Sequence, residues 1–315
     1  MKKKKSTTFK VIITILILLF VVIIGIAIYA FAKFHSLNNS INEPLDRDHS
    51  QLRQKNLKDG DPMTVVLYGI DDDAQRHQEN LGQRSDSIVL MSINPKDNKT
   101  VMVSVPRDTK TEIVGHNSTE KLNHAYAYGG PKMAVHSLEK LMDVPVDHYI
   151  AINMDGVKTV IDNLGGVNIT SDTTFTTTGT EGKYNFEQGK SYKMDGKQAL
   201  AYMRARKEEG AGGDGGRQLR QQQVITSVAK EAFSMNSVTK LNDIFKAAQD
   251  NLKTDLSFME LNKFKSDYDN AQDNVERLTI DGQNGQGDDG LYYFYPNKDS
   301  LNEVKQKIKD NLEMN

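Results

Sequence analysis

The stretch "SIVLMSINPKDNKTVMVSVPRD", residues 87–108, decides how this chain folds. Two β-branched, apolar runs flank "NPKDNK", whose Asn, Pro and Asp are turn formers, so the segment predicts a β-hairpin. Neither run alternates cleanly between apolar and polar residues, a pattern that suits strands buried on both faces. "TVVLYGID" (64–71) is a third such run, and "HYIAIN" (148–153) and "VERLTID" (275–281) are shorter ones.

Helical patterns lie between them. Thr119 to Met142 is one, divided at Pro131 after Gly129-Gly130. A helix after residue 153 ends at Gly165-Gly166, a glycine C-cap, and Asp195 caps another through "GKQALAYMRAR". Further helices are expected at 217–234, 237–252, 257–270 and 298–313, with "GQNGQGDDG" (282–290) as a loop. Strands interspersed with helices predict one α/β domain whose sheet is covered by helices.

Compartment follows from charge and hydropathy. The chain has 315 residues, 40 basic and 42 acidic, and no cysteine, which excludes disulfides, thiolate metal sites and a cysteine nucleophile. Five of the lysines lie in residues 1–10, leaving 35 basic against 42 acidic side chains, a balance of −7, poorly suited to coating nucleic acid. "VIITILILLFVVIIGIAIYAFA" (11–32) holds no charge. At about 1.5 Å per residue it spans roughly 33 Å, enough to cross a bilayer. A cleaved signal peptide, with Ala30-Phe31-Ala32 as its site, has a shorter apolar region of about 7–15 residues. The stretch therefore reads as a retained anchor, with 1–10 a basic cytoplasmic tail. Residues 33–61 read as a juxtamembrane stalk and 62–315 as an extracytoplasmic domain.

The polar signals converge on an anion. In "GDGGRQLRQQQ" (213–223) glycines precede a helix, and free N–H groups at a helix start point at a ligand. Arg217, Arg220, Gln221 and Val224 fall on one helical face, with Asp214 in the first turn. Arg204 and Arg206 converge only if their helix ends near Arg204 and the chain then extends, as "RKEEGAGGDGG" favours. Arg84 and Asp86 open one strand; Arg107 and Asp108 close another; Asp71 ends the first. Asp71 and Asp86 at adjoining strand ends would share a hard cation such as Mg²⁺. Each residue also has an ordinary explanation: a solvated helix face, the helix dipole, or turn chemistry for Asp. His124 reads as a helix-surface residue. Together the set is equipment for a pyrophosphate. No P-loop, G-x-S-x-G elbow or H-E-x-x-H pair is present.

The order "GID…RSDSIVLMSINP…VSVPRDT…KLNHAYAYGG…GGVNI…MDGKQALAYMRARK…GDGGRQLRQQQ" resembles the LytR–CpsA–Psr family of membrane-anchored cell-wall enzymes. The resemblance implies an α/β/α sandwich with an apolar channel for a polyprenyl tail. It implies a phosphotransferase that takes a glycopolymer (wall teichoic acid or capsular polysaccharide) from a polyprenyl-pyrophosphate carrier to the C6 hydroxyl of N-acetylmuramic acid in peptidoglycan. Asp71 and Asp86 match the family's aspartates associated with Mg²⁺ (or Mn²⁺). Arg84, Arg107, Arg204, Arg206, Arg217 and Gln221 match its pyrophosphate-binding positions, with Asp86, Arg107 and Arg217 expected to be catalytic. Lys121 and Asn123 stand where the family has a basic and an amide residue. Two departures stand out: "DDDAQRHQENLGQ" is longer than usual, and Gly215 replaces a bulkier apolar residue. The same arginines would serve a pyrophosphatase, and the family has also carried the label of a transcriptional attenuator.

Overall fold

A computed structural model describes residues 41–71, 82–234, 238–257, 260, 268–272 and 274–314. The expected anchor at 11–32 and most of the expected 257–270 helix lie outside the described residues. Among those described, no helix is long and apolar enough to cross a membrane.

In chain order the strands are β1 (Met63–Asp71), β2 (Arg84–Asn94), β3 (Lys99–Ser104), β4 (Lys110–Ile113), β5 (Ser118–Lys121), β6 (His148–Asn153), β7 (Val167–Thr170) and β8 (Phe175–Thr176). After them come β9 (Asn185–Phe186), β10 (Ser191–Met194), β11 (Leu252–Thr254), β12 (Val275–Thr279), β13 (Gly282–Gln286) and β14 (Tyr292–Pro296). The helices are α1 (His124–Met142), α2 (Met154–Leu164), α3 (Gly196–Arg204), α4 (Gly213–Ser234), α5 (Val238–Ala248) and α6 (Lys298–Asn311).

Six strands form the central sheet in the order β11-β6-β1-β2-β3-β12. The meander β1-β2-β3 is antiparallel, whereas β6 runs parallel to β1 and β12 parallel to β3. The expected hairpin joins β2 to β3, its turn fastened by Asn94 Oδ1, which accepts from the Lys96 and Asp97 amides at 2.9 and 3.2 Å. The continuous apolar runs are explained by two-sided burial. Val66, Tyr68, Leu90 and Val103 pack with Leu138 of α1 and Ile308 of α6 on one face. Met63, Val65 and Ile93 pack with Tyr268 and Ala271 on the other. The fold is a mixed α/β one with helices on both faces of its sheet.

Several boundaries differ from the sequence reading. The pattern from Thr119 is not helical at its start: Ser118–Lys121 pairs with β4, and α1 begins at His124. The division expected at Pro131 is present: Gly129 (φ −143°) and Gly130 (φ 62°) leave helical geometry, so α1 is two helical pieces joined at a kink. The expected 237–252 helix stops at Ala248, because 252–254 leaves to pair with β6 as the sheet's edge. "GQNGQGDDG" is no simple loop: its first five residues are β13, paired with β14. The residues read as a stalk are seen from 41 onward, and there they lie on the domain. Ile41 is fully buried, and Arg53 pairs with Asp147 at 2.5 Å.

Candidate active site

The site lies where β1 and β3 end and β2 begins, at one edge of the sheet. There the β1–β2 register slips: Gly69 pairs with Ser87 and Ile70 with Ser85, so Asp86 is the extra residue of a bulge. Bulges re-aim side chains beside active sites. Gly69 permits the close approach, since a Cβ there would lie 2.9 Å from Ser87 Cβ. Asp71 faces Arg84 across the strand pair.

Past the end of β3, the Arg107 guanidinium meets Asp86 Oδ2 at 2.8 Å and Asp108 Oδ2 at 3.5 Å. Lys121, from β5, meets Asp108 Oδ1 at 3.0 Å. Burial opposes the charge on Arg107, but Asp86 and Asp108 outweigh it and raise its pKa. The backbone N–H of Asn123 donates to the Arg107 carbonyl at 3.1 Å.

The glycine-to-helix junction arrives opposite. α4 starts at Gly213, inside the glycine run, and Asp214 Oδ1 meets Arg217 at 2.7 Å and Arg206 at 3.5 Å. Burial lowers the Arg217 pKa, with Arg107 and Arg206 adding repulsion and Asp214 and Asp86 opposing them. Arg217 thus lies within electrostatic reach of both strand-end residues. Gln221 Oε1 accepts from Ser87 Oγ at 2.9 Å, fixing α4 to the bulge. Two buried polar atoms here, Arg217 Nε and Asn123 Oδ1, meet no hydrogen-bond partner among the described residues. Such atoms ask for a ligand or an ordered water.

α3 ends at Arg204 and the chain extends at Ala205 (ψ 128°), the condition for Arg204 and Arg206 to converge. Both line a polar cleft of about 1210 Å³ together with Thr174, Thr176 and Thr178. Arg204 itself meets Glu181 at 2.7 Å, whereas Arg206 meets Asp214.

Arg220 does not belong to the binding face. It is 1% exposed and donates to the carbonyls of Tyr202 at 2.9 Å, Ala211 at 2.8 Å and Ala205. Its guanidinium lies 4.8 Å from the Phe175 ring. It fastens the 205–211 loop to α4. His124 is not a surface residue either: it is 8% exposed, with Nδ1 2.8 Å from Glu120. Ser87 and Asp108 were not assigned from sequence. Asp108 had the signal of a strand end beside Arg107; Ser87 had none.

Among the described residues no cluster of three His, Asp or Glu suited to a metal occurs. Asp71 and Asp86, the pair matched to Mg²⁺, stand at neighbouring strand ends, Asp71 opposite Arg84 and Asp86 2.8 Å from Arg107.

The sequence model of the LytR_cpsA_psr family matches residues 28–310. The chain belongs to the LytR_cpsA_psr family. It is 36% identical over 312 residues to the polyisoprenyl-teichoic acid–peptidoglycan teichoic acid transferase TagU of Bacillus subtilis (strain 168), covering 99% of this chain and 98% of that one. Two solved structures with which it shares its fold are B. subtilis TagU (TM-score 0.65, 35% identity, 81% of this chain and 98% of that chain) and TagT bound to LIIa-WTA (TM-score 0.70, 30% identity, 87% and 100%).

Proposed function

We propose that this chain is a phosphotransferase that moves a glycopolymer of the wall teichoic acid or capsular type from a polyprenyl-pyrophosphate carrier to the C6 hydroxyl of N-acetylmuramic acid in peptidoglycan. One ridge of α4 supports this reading most. Arg217, Gln221, Ile225, Ala229 and Phe233 follow at four-residue spacing, each beside the next on a ridge that winds slowly round the helix. Arg217 and Gln221 stand beside Asp86 and Ser87. Ile225, Ala229 and Phe233 line a narrow apolar groove of about 60 Å³ with Met91, Ile93 and Met102. A cationic end followed by an apolar track, roughly 24 Å from Arg217 to Phe233, has the order of a diphosphate head and a hydrocarbon chain. Met91 and Met102 are flexible walls that can re-pack around such a chain. The relatives named as teichoic acid transferases supply the donor and acceptor classes.

In this reading the acceptor hydroxyl oxygen attacks the phosphorus that carries the glycopolymer. That P–O bond forms, the bond to the bridging oxygen breaks, and the polyprenyl phosphate leaves. Arg107, Arg206 and Arg217 neutralise phosphoryl oxygens, positioning and charge being most of what phosphoryl transfer needs. The hydroxyl proton passes to a carboxylate at the sheet edge, Asp86 or Asp71. Mg²⁺ (or Mn²⁺) held by Asp71 and Asp86 would supply further charge neutralisation. The apolar segment 11–32 would hold the domain on the outer side of the cytoplasmic membrane, where lipid-linked donor and wall meet.

The test is turnover by the full chain in detergent, with lipid-linked donor and with or without peptidoglycan. Phosphodiester-linked product that requires the acceptor is expected. Release of donor to water at the same rate with and without acceptor would make the protein a pyrophosphatase instead.

A further inference from the structure

The side chains that precede α2, α3 and α6 cap those helices. Asn153 Oδ1 accepts from the Gly156 amide at 2.9 Å, and Asp195 Oδ1 from that of Gln198 at 2.8 Å. Asn297 Oδ1 accepts from Asp299 at 2.9 Å and Ser300 at 3.1 Å. Asn123, before α1, makes no such bond. Its own backbone is already helical (φ −68°, ψ −14°), whereas a capping residue is normally extended. The residue is nonetheless 3% exposed, and Oδ1 meets no hydrogen-bond partner among the described residues. A buried acceptor without a donor costs stability, so the fold gives this amide no use.

Its place in the site is a second observation. Leu122 and Asn123 donate their backbone N–H groups to the carbonyls of Thr109 at 2.9 Å and Arg107 at 3.1 Å. Those bonds lay 121–123 along the loop that carries Arg107 and Asp108. Leu122 goes to the core, while Lys121 before it meets Asp108 at 3.0 Å. Asn123 thus stands beside the cations matched to the diphosphate, yet its amide is neutral and Oδ1 can only accept. Ionised phosphoryl oxygens are acceptors too, and a hydrocarbon chain offers neither donor nor acceptor. Among the groups that meet in the reaction, the donors left for Oδ1 are hydroxyls of the sugars on either side of the reacting phosphorus.

We propose that Asn123 Oδ1 accepts a hydrogen bond from a sugar hydroxyl next to the reacting phosphorus and fixes that sugar against the Arg107 loop. The inference rests on the transfer reaction proposed above. The hydroxyl concerned is not the attacking one, whose single proton goes to Asp86 or Asp71. It belongs either to the first sugar of the donor or to the acceptor sugar. A buried amide of this kind favours a substrate that brings the hydroxyl over one that lacks it, because the latter leaves the acceptor unpaired.

The test is calorimetric titration of the full chain in detergent, wild type against Asn123→Ala, with three ligands. They are geranyl diphosphate, geranyl diphosphate carrying one N-acetylglucosamine, and soluble glycan fragments of peptidoglycan. The variant should bind geranyl diphosphate as wild type does and one of the sugar-bearing ligands about tenfold more weakly. A loss on the glycosylated diphosphate assigns the hydroxyl to the donor, and a loss on the peptidoglycan fragments assigns it to the acceptor. The urea midpoint of the variant should be no lower than that of wild type, since no bond within the protein is removed. Equal binding of both sugar-bearing ligands by the two proteins would overturn the proposal. So would weaker binding of geranyl diphosphate, which would put the amide nitrogen on a phosphate, or a lowered urea midpoint, which would make Asn123 structural. None of these titrations needs turnover, so the contact and the transfer reaction fail separately.

Discussion

Asp214 Oδ1 lies 2.7 Å from the Arg217 guanidinium, one helical turn ahead of it. The same oxygen is 3.5 Å from Arg206. One carboxylate therefore serves as counter-ion for two cations matched to pyrophosphate, and an incoming phosphate competes with it. Asp214→Asn is expected to tighten donor binding by about threefold, a modest effect because the pair is half-exposed. Titration of donor against both proteins checks this; weaker binding by the variant would show that Asp214 orients Arg217 rather than competing for it.

Arg107 bridges Asp86 and Asp108, tying the bulge of β2 to the end of β3. Removing one aimed donor to a transition-state oxyanion costs about 10²–10³ in rate, so Arg107→Ala should lower kcat by that order. Arg107→Lys should recover little, because an ammonium cannot reproduce the planar fork. Single-turnover transfer at saturating donor is the measurement.

Arg220→Ala should destabilise the protein rather than merely weaken substrate binding. It would leave three buried carbonyls, of Tyr202, Ala205 and Ala211, without their donor. Each buried unsatisfied group costs about 1–3 kcal/mol. A fall of about 3 kcal/mol or more in urea unfolding is expected, and a loss below 1 kcal/mol would contradict the clamp.

His148 gives stability a pH dependence. Its Nδ1 lies 3.0 Å from Asp255, whose other oxygen accepts from the Tyr149 amide at 2.8 Å and fastens the β11 edge. Burial opposes charge on the ring, yet the Asp255 hydrogen bond and charge, with Asp147 and Glu260, raise its pKa. A raised base contributes fully below its unfolded value of about 6.5, and the contribution is lost as pH rises through the folded value. Urea midpoints should fall as pH rises above about 6.5, and His148→Gln should flatten that change.

The sheet was legible because burial on both faces leaves β-branched runs almost unbroken. The end of α3 at Arg204 was legible too, since the glycines from 210 onward favour a loop. Three features were not. Helical spacing placed Arg220 beside Arg217, but spacing cannot tell a guanidinium aimed at solvent from one turned inward onto carbonyls. The strand at 282–286 was hidden by its glycines, whose missing side chains leave room for rings from β14. A Cβ at Gly287, just past the strand, would lie 2.8 Å from Tyr293. His124 has its Glu120 partner four residues earlier, but its burial was hidden, because Glu120 lies on β5 and not on the helix expected from Thr119.

The central claim is that Arg107, Arg206 and Arg217 meet over one diphosphate. The direct measurement is calorimetric titration of the full chain in detergent with geranyl diphosphate and with geranyl monophosphate, for wild type and Arg217→Ala. The account expects wild type to prefer the diphosphate by about a hundredfold, as one or two charge-assisted contacts would give, and Arg217→Ala to lose most of that preference. Equal affinity for the two ligands, or a preference untouched in the variant, would contradict it.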